Sequence, residues 1–154
     1  ICVLNQGNIE QVGTSREIYD SPENLFVARF FGIPSINLIH GSIKDYSNNN
    51  SRHFLCKNSS FRFQLPTFIE SKSGDLILGI RPEKIQFTEE NIENTFEIIH
   101  SEYHGDSQVC TLQSAGIEIT CKLPSSKSFH GKKTGITIEW GSAIWFDPQN
   151  ENRI

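Results

Sequence analysis

The sequence predicts a mainly β fold: a barrel or sandwich of short strands, preceded by a β-hairpin and a short helical joint. Three observations predict it. From Ile36 onward, short apolar runs alternate with Gly, Pro, Asn and Ser, the spacing of an all-β barrel or sandwich. Strong helix-start signals fall within residues 12–37, VGTSREIYDSPENLFVARFFGIPSIN, and no later helix is as well marked. Near the start, two apolar stretches flank Asn5-Gln6-Gly7-Asn8, where Gly7 can take the positive φ of a tight turn.

In chain order, residues 1–4 and 9–12 form the predicted hairpin. Thr14 and Glu17 then make a capping box, in which hydroxyl and carboxylate each satisfy an orphan backbone N–H. Ser21 before Pro22 predicts a second helix start, with proline at the first helical position, where its missing N–H costs nothing. Phe26, Val27, Phe30 and Phe31 follow as one apolar helical stripe. Gly32 supplies the stop and Pro34 prevents continuation.

Beyond the joint, strands are predicted over 38–43, 54–56, 61–65, 76–80, 95–103, 108–113, 117–123, 135–140 and 143–146. Residues 45–52, with Ser-Asn-Asn-Asn-Ser, read as an exposed loop, and Asn58-Ser59-Ser60 as the turn of a second hairpin. The run 76–80 is nearly all apolar, as in a strand buried on both sides. Phe61, Phe63, Leu65 and Phe96, Ile98, His100 alternate as half-buried strands do. A five-stranded partly open barrel, or two such units fused, fits the strand count.

Composition narrows the function. The 154 residues carry 14 basic and 18 acidic side chains, a net charge of −4, which argues against a nucleic-acid partner. The chain starts at Ile1 and holds no Met, which reads as a piece of a longer polypeptide. Cys2, Cys56, Cys110 and Cys121 have neither C-x-x-C spacing nor a His at zinc-finger distance, so reduced thiols in a cytosolic protein are expected. No apolar run nears the roughly 18 residues of a membrane span. The sequons Asn49-Asn50-Ser51 and Asn58-Ser59-Ser60 are idle in such a compartment.

The chemistry-bearing patterns are near-misses. Gly131-Lys132-Lys133-Thr134 falls short of a phosphate loop: a second Lys intervenes, and Ser126 stands where the first Gly belongs. With no signature sequence either, no ATP hydrolysis is expected, and no catalytic or cofactor-binding residue is assigned. His100, Glu102 and His104 share one strand face at i, i+2 and i+4, a set of metal ligands if they converge. The preferred reading is a solvated or interface face with no metal. Trp140, Trp145 and Phe146 read as core rather than as a base-stacking platform, given Glu139 and Asp147 beside them. Ser125-Ser126-Lys127-Ser128 reads as a loop without a base to activate a nucleophile.

Two stretches resemble a known family. GNIEQVGTSREIYDSPENLFVARFFGIPSINLIHG is similar to the junction of ATP-binding subunits of ABC importers of the maltose and carbohydrate type, with its G-x-I-x-Q-x-G-T-P, E-I-Y-x-x-P-x-N-x-F-V-A-x-F-I-G and P-x-M-N patterns. Gly7, Ile9, Gln11, Gly13, Thr14, Glu17, Ile18, Tyr19, Pro22, Asn24, Phe26, Val27, Ala28, Phe30, Gly32, Pro34 and Asn37 match; Ser15 and Ile36 replace Pro and Met. Leu78-Gly79-Ile80-Arg81-Pro82-Glu83-Lys84-Ile85 resembles the L-G-I-R-P-E-x-I segment of that family's C-terminal domain. Ser101-Glu102-Tyr103-His104-Gly105 and the closing Trp145-Phe146-Asp147 with Asn152-Arg153-Ile154 resemble it less closely.

The resemblance implies an OB-like transport-associated (TOBE) barrel over residues 33–154, after the tail of a nucleotide-binding domain at 1–32. It implies a non-catalytic regulatory and dimerisation domain of a sugar importer's ATP-binding subunit, the alternative being a barrel that binds a small solute or oxyanion. The implied partners are a second copy, the nucleotide-binding domain of the same chain, and transmembrane permease subunits; the implied location is the cytoplasmic face of the membrane. ATP and Mg belong to the full-length parent and not to this stretch. The interface or regulatory candidates are Arg81, Glu83, Phe26 and Phe30. Arg81 and Glu83 are expected to pair with each other or across an interface, or else to sit as solvated charges at a strand end. The Phe stripe is expected to stay partly exposed, or to find a substitute partner in the barrel or a second chain.

Overall fold

The structure is a computed structural model that describes residues 1–46, 51–70, 74–89, 95–127 and 132–154. It opens with a hairpin of β1 (Cys2–Asn5) and β2 (Asn8–Val12), whose turn places Gln6 at φ 48° and Gly7 at φ 86°. Two positive φ values are what a two-residue hairpin turn requires. Helix α1 (Ser15–Asp20) begins at the predicted capping box: Thr14 Oγ1 accepts from the Glu17 N–H, and the Glu17 carboxylate accepts from the Thr14 N–H.

The second helix start is shifted from the predicted one. Ser21 ends α1, its N–H donating to Glu17 O, and Pro22 is buried between the helices. Helix α2 (Leu25–Phe30) starts instead from Asn24, whose Oδ1 accepts from the Val27 N–H. A side-chain acceptor reaching the third helical N–H defines the cap, and Ser21 lies too far upstream to reach it.

Two five-stranded antiparallel sheets follow. One has the order β12 (Ile144–Phe146), β6 (Asp75–Ile80), β3 (Asn37–Tyr46), β4 (Ser51–Cys56), β5 (Arg62–Leu65). The other runs β10 (Ile117–Pro124), β9 (Ser107–Ser114), β8 (Phe96–Tyr103), β11 (Lys133–Ile138), β7 (Ile85–Thr88). Ile39, Phe54 and Leu78 from the first and Phe96, Leu112 and Ile119 from the second share one core. The mainly β expectation holds. The sheets are further tied by Asn37, whose amide donates to Ile80 O and Thr120 O and accepts from the Thr120 N–H.

Several local expectations change. β3 and β4 run on to Tyr46 and from Ser51, shortening the loop predicted over 45–52; the four residues between them, including Asn49 and Asn50, lie outside the described residues. β7 was not predicted, because its four residues follow directly on a charged turn and find their partner, Gly135–Ile138 of β11, far along the chain. β11 ends at Ile138, and Trp140 opens a short 3-10 turn to Ser142. The alternation in β8 stops after Ile98, where a bulge precedes His100 and the rest of the strand is exposed. Lys133 and Thr134 of the near-miss phosphate loop begin β11, while Gly131 and Ser128 lie outside the described residues.

Candidate functional site: the joint around Arg81

Arg81 leaves β6 in extended conformation, and Pro82 starts a 3-10 turn that carries the chain off to one side. Its side chain turns back under the helices and is 3% exposed. Nη1 donates to Ala28 O at 2.9 Å and Phe31 O at 2.6 Å, and Nη2 donates to Tyr19 O at 2.8 Å. These carbonyls lie at the C-terminal ends of α1 and α2, where backbone acceptors lack helical donors and carry partial negative charge. One guanidinium therefore caps both helices. Burial lowers its pKa from the ordinary arginine value, opposed by Tyr19, Glu83 and Asp20. Nε is buried without a partner.

Arg81 does not pair with Glu83, and of the two only Glu83 sits as an exposed charge. Arg81 is buried against the helices, whereas Glu83, exposed on the 3-10 turn, accepts from Tyr19 Oη at 2.8 Å. The fixed φ of Pro82 sends the two side chains apart, and both end on Tyr19. The guanidinium carbon sits 4.0 Å from the Tyr19 ring centroid, a cation–π contact. Burial, then the Glu83 hydrogen bond and charge, push the Tyr19 phenol up to about 12. Gly32 completes the packing at φ 106°: a Cβ there would lie 3.2 Å from Tyr19 Cε2 and 3.3 Å from Arg81 Nη1.

Of the Phe stripe, Val27 is buried, Phe26 and Phe31 pack half-buried against its cluster, and Phe30 is exposed. Leu25 and Ala28 of α2 pack on Ile77, Ile144 and Phe146 of the first sheet, while Val27 joins Val3 and Ile18. Phe26 is half-buried and Phe30 is 65% exposed, their rings stacked at 5.9 Å. Thus part of the stripe is exposed, while its helix neighbours Leu25 and Ala28 pack on the first sheet. The chain end straps the same helix down: the Leu25 N–H donates to Glu151 O and the Arg153 N–H to Glu23 O.

The remaining predicted residues lie elsewhere. His100 and His104 each place Nε2 on one oxygen of Glu102, at 2.9 and 3.2 Å, and these contacts lower the carboxyl pKa. The row is solvated, and among the described residues no three His, Cys, Asp or Glu side chains are arranged to hold a metal. Trp145 and Phe146 are buried in the core, and Trp140 packs edge-on to Phe63. Sequence reasoning missed Tyr19 as the hub of the joint. A tyrosine in a short capped helix carries no signal of its own until Arg81 arrives from a distant strand.

In class, the chain is a mainly β, OB-like domain with a hairpin and two helices strapped to one sheet. Its fold is similar to that of the cytoplasmic molybdate-binding protein ModG, with a TM-score of 0.52 at 11% identity, over 71% of this chain and 94% of that one. No family model matches. Among curated proteins, the alpha-glucoside transport ATP-binding protein AglK of Rhizobium meliloti is 36% identical over 99% of this chain and 43% of its own length. The multiple sugar-binding transport ATP-binding protein MsmK of Streptococcus mutans is 30% identical over 96% of this chain and 41% of its own. The sn-glycerol-3-phosphate import ATP-binding protein UgpC of Psychromonas ingrahamii is 39% identical over 66% and 25%. The chain's homologues are thus ATP-binding subunits of sugar-type ABC importers, and it matches a C-terminal fragment of such a subunit. It spans about two fifths of the length of the first of these relatives.

Proposed function

We propose that this chain is the non-catalytic regulatory and dimerisation part of the ATP-binding subunit of an ABC importer, one for sugars. The observation that carries the reading is the match over 99% of the chain to a sugar-transport ATP-binding protein. The sequence supplies no phosphate loop of its own, which supports a mechanical role rather than a hydrolytic one. In this reading, residues 1–32 are the tail of the nucleotide-binding domain, and Arg81 couples that tail to the barrel. Leu4, Ile9, Val12 and Phe30 are each more than half exposed on this tail and would meet the rest of that domain. ATP and Mg act in the parent subunit, at the cytoplasmic face of the membrane, beside the permease. Among the described residues no helix is long and apolar enough to cross a membrane.

Two barrels packed together would let the ATP-binding domains open and close without separating, and a partner that preferred one arrangement would bias the cycle. Light scattering across a concentration series tests this: the reading expects a monomer–dimer equilibrium, and a strict monomer at high concentration counts against it. An ATPase assay on the chain alone is expected to be blank. The second reading, a barrel that binds an oxyanion, is favoured by the likeness to ModG. Calorimetry with molybdate, sulfate and sugars separates the two, since a stoichiometric heat with molybdate would displace dimerisation as the main role.

A further inference from the structure

The outer end of β8 is an open strand edge. The His104 N–H donates to Ser107 O, toward β9. Backbone groups along an antiparallel strand turn to alternate sides, so those of Glu102 also face β9, while those of Ser101 and Tyr103 face away. On that far side β11 pairs only with Phe96 and Glu97, and the Ile98 N–H adds one bond to Lys132 O. Among the described residues, no backbone group pairs there with Ser101 or Tyr103. The side chains are open as well: Ile99 is 47% and Tyr103 71% exposed, and His100, Ser101 and Glu102 are exposed between them. The strand holds neither the Pro nor the Lys that commonly guards an edge, and such an edge is a template for another strand.

The sequence of this edge is complementary to itself. Set antiparallel to a second β8 about a two-fold axis at Ser101, His100 falls opposite the partner's Glu102 and Ile99 opposite the partner's Tyr103. The two Ser101 backbones then face each other as a hydrogen-bonded pair. Symmetry makes each side-chain pair occur twice. Each oxygen of Glu102 already meets a histidine Nε2 of its own strand; a carboxylate has about four acceptor positions, so the partner's His100 can be added. The neighbouring registers are worse. An axis at Glu102 sets two carboxylates directly opposite each other, and an axis at Tyr103 runs past the end of the strand. We propose that this edge is the surface through which two copies of the chain associate, β8 against β8. The proposal takes from the regulatory reading that copies pair, and adds where they do so. One short strand edge is smaller than the roughly 1,600 Å² of a standard interface, so the dimer is weak and reversible.

Sedimentation equilibrium over a concentration series, paired with amide hydrogen exchange, is the test. A reversible dimer is expected, with the Ser101 amide exchanging more slowly as concentration rises while the Glu102 amide, turned toward β9, stays unchanged. Ser101→Pro removes an outward N–H without breaking the ladder to β9, and is expected to weaken the dimer about tenfold or more. Glu102→Lys makes both cross-strand pairs repulsive and is expected to weaken it about tenfold; adding His100→Glu restores attraction and is expected to recover most of that loss. These positions are exposed, so unchanged melting temperatures would show that the variants fold. Should Ser101→Pro fail to fold, the charge pair and the exchange data decide. A dimer as tight in Glu102→Lys as in the wild type, or one that forms without slowing the Ser101 amide, would overturn this edge and leave the dimerisation reading standing. A strict monomer at high concentration would overturn both.

Discussion

The guanidinium of Arg81 sits 4.0 Å over the ring of Tyr19 while also donating to the Tyr19 carbonyl. Side chain and backbone of one residue are thus held by a single cation from a strand 62 positions away. The arrangement converts two short helices, neither long enough to be stable alone, into a fixed extension of the first sheet.

Arg81→Ala removes three charge-assisted donors and leaves carbonyls of both helices unpaired near the core. A loss of about 3 kcal/mol or more is expected in urea unfolding. Arg81→Lys keeps the charge but not the planar fork, so it is expected to recover only part of that loss. If Ala and wild type unfolded at the same urea midpoint, the clamp would have no energetic weight.

Tyr19 predicts an alkaline transition. Its folded pKa, about 12, lies above the ordinary value of 10.0. The folded state therefore holds its proton more tightly than the unfolded chain. That contribution is fully present below the unfolded pKa and is lost as pH rises from there through the folded value. Tyr19→Phe keeps the ring over Arg81 and removes the titrating group. It is expected to flatten this part of the alkaline stability loss while costing about 1 kcal/mol at neutral pH for the bond to Glu83. Tyrosinate absorbance against pH, with and without the substitution, checks the assignment.

Glu151 stands at φ 62°, in the left-handed region, where its backbone carbonyl receives the Leu25 N–H. Its N–H donates to Asp147 O, and both backbone bonds survive without a side chain. Glu151→Gly is accordingly expected to stabilise the chain by about 0.5–1 kcal/mol, because glycine bears no steric cost there. Thermal unfolding would show it as a small rise in melting temperature; a fall would mean that the lost chain entropy outweighs the relieved strain.

The four cysteines should divide sharply in reactivity. Cys2 is exposed, whereas Cys56, Cys110 and Cys121 are buried. Burial pushes the Cys56 and Cys121 thiols up to about 12, leaving almost no thiolate at neutral pH. A thiol reagent should modify one group quickly in the native state and the other three only on unfolding.

Much was legible in the chain because the signals were local. The Thr14–Glu17 box needs four consecutive residues, and the Asn5-to-Asn8 turn needs one glycine that tolerates positive φ. The buried run of β6 announces itself by having no polar alternation, and the closely spaced turn residues announce strands. The same locality explains the errors. Ser21-Pro22 and Asn24 are both credible helix starts by composition, and only the position of the α2 backbone against the first sheet selects Asn24.

By itself, the sequence determined the mainly β class, the hairpin, the capped helical joint, and the family likeness carried by the joint and the Arg81-Pro82-Glu83 segment. The tertiary structure alone decided what those residues do. Arg81 and Glu83, two positions apart in the motif, diverge to different tasks on Tyr19, and Asn37 bonds across to Thr120. The reason is physical: helix caps and tight turns close within a few residues, so their energetics are written in neighbouring letters. A buried guanidinium or amide finds its acceptors only once distant strands have met, and no local pattern encodes that meeting.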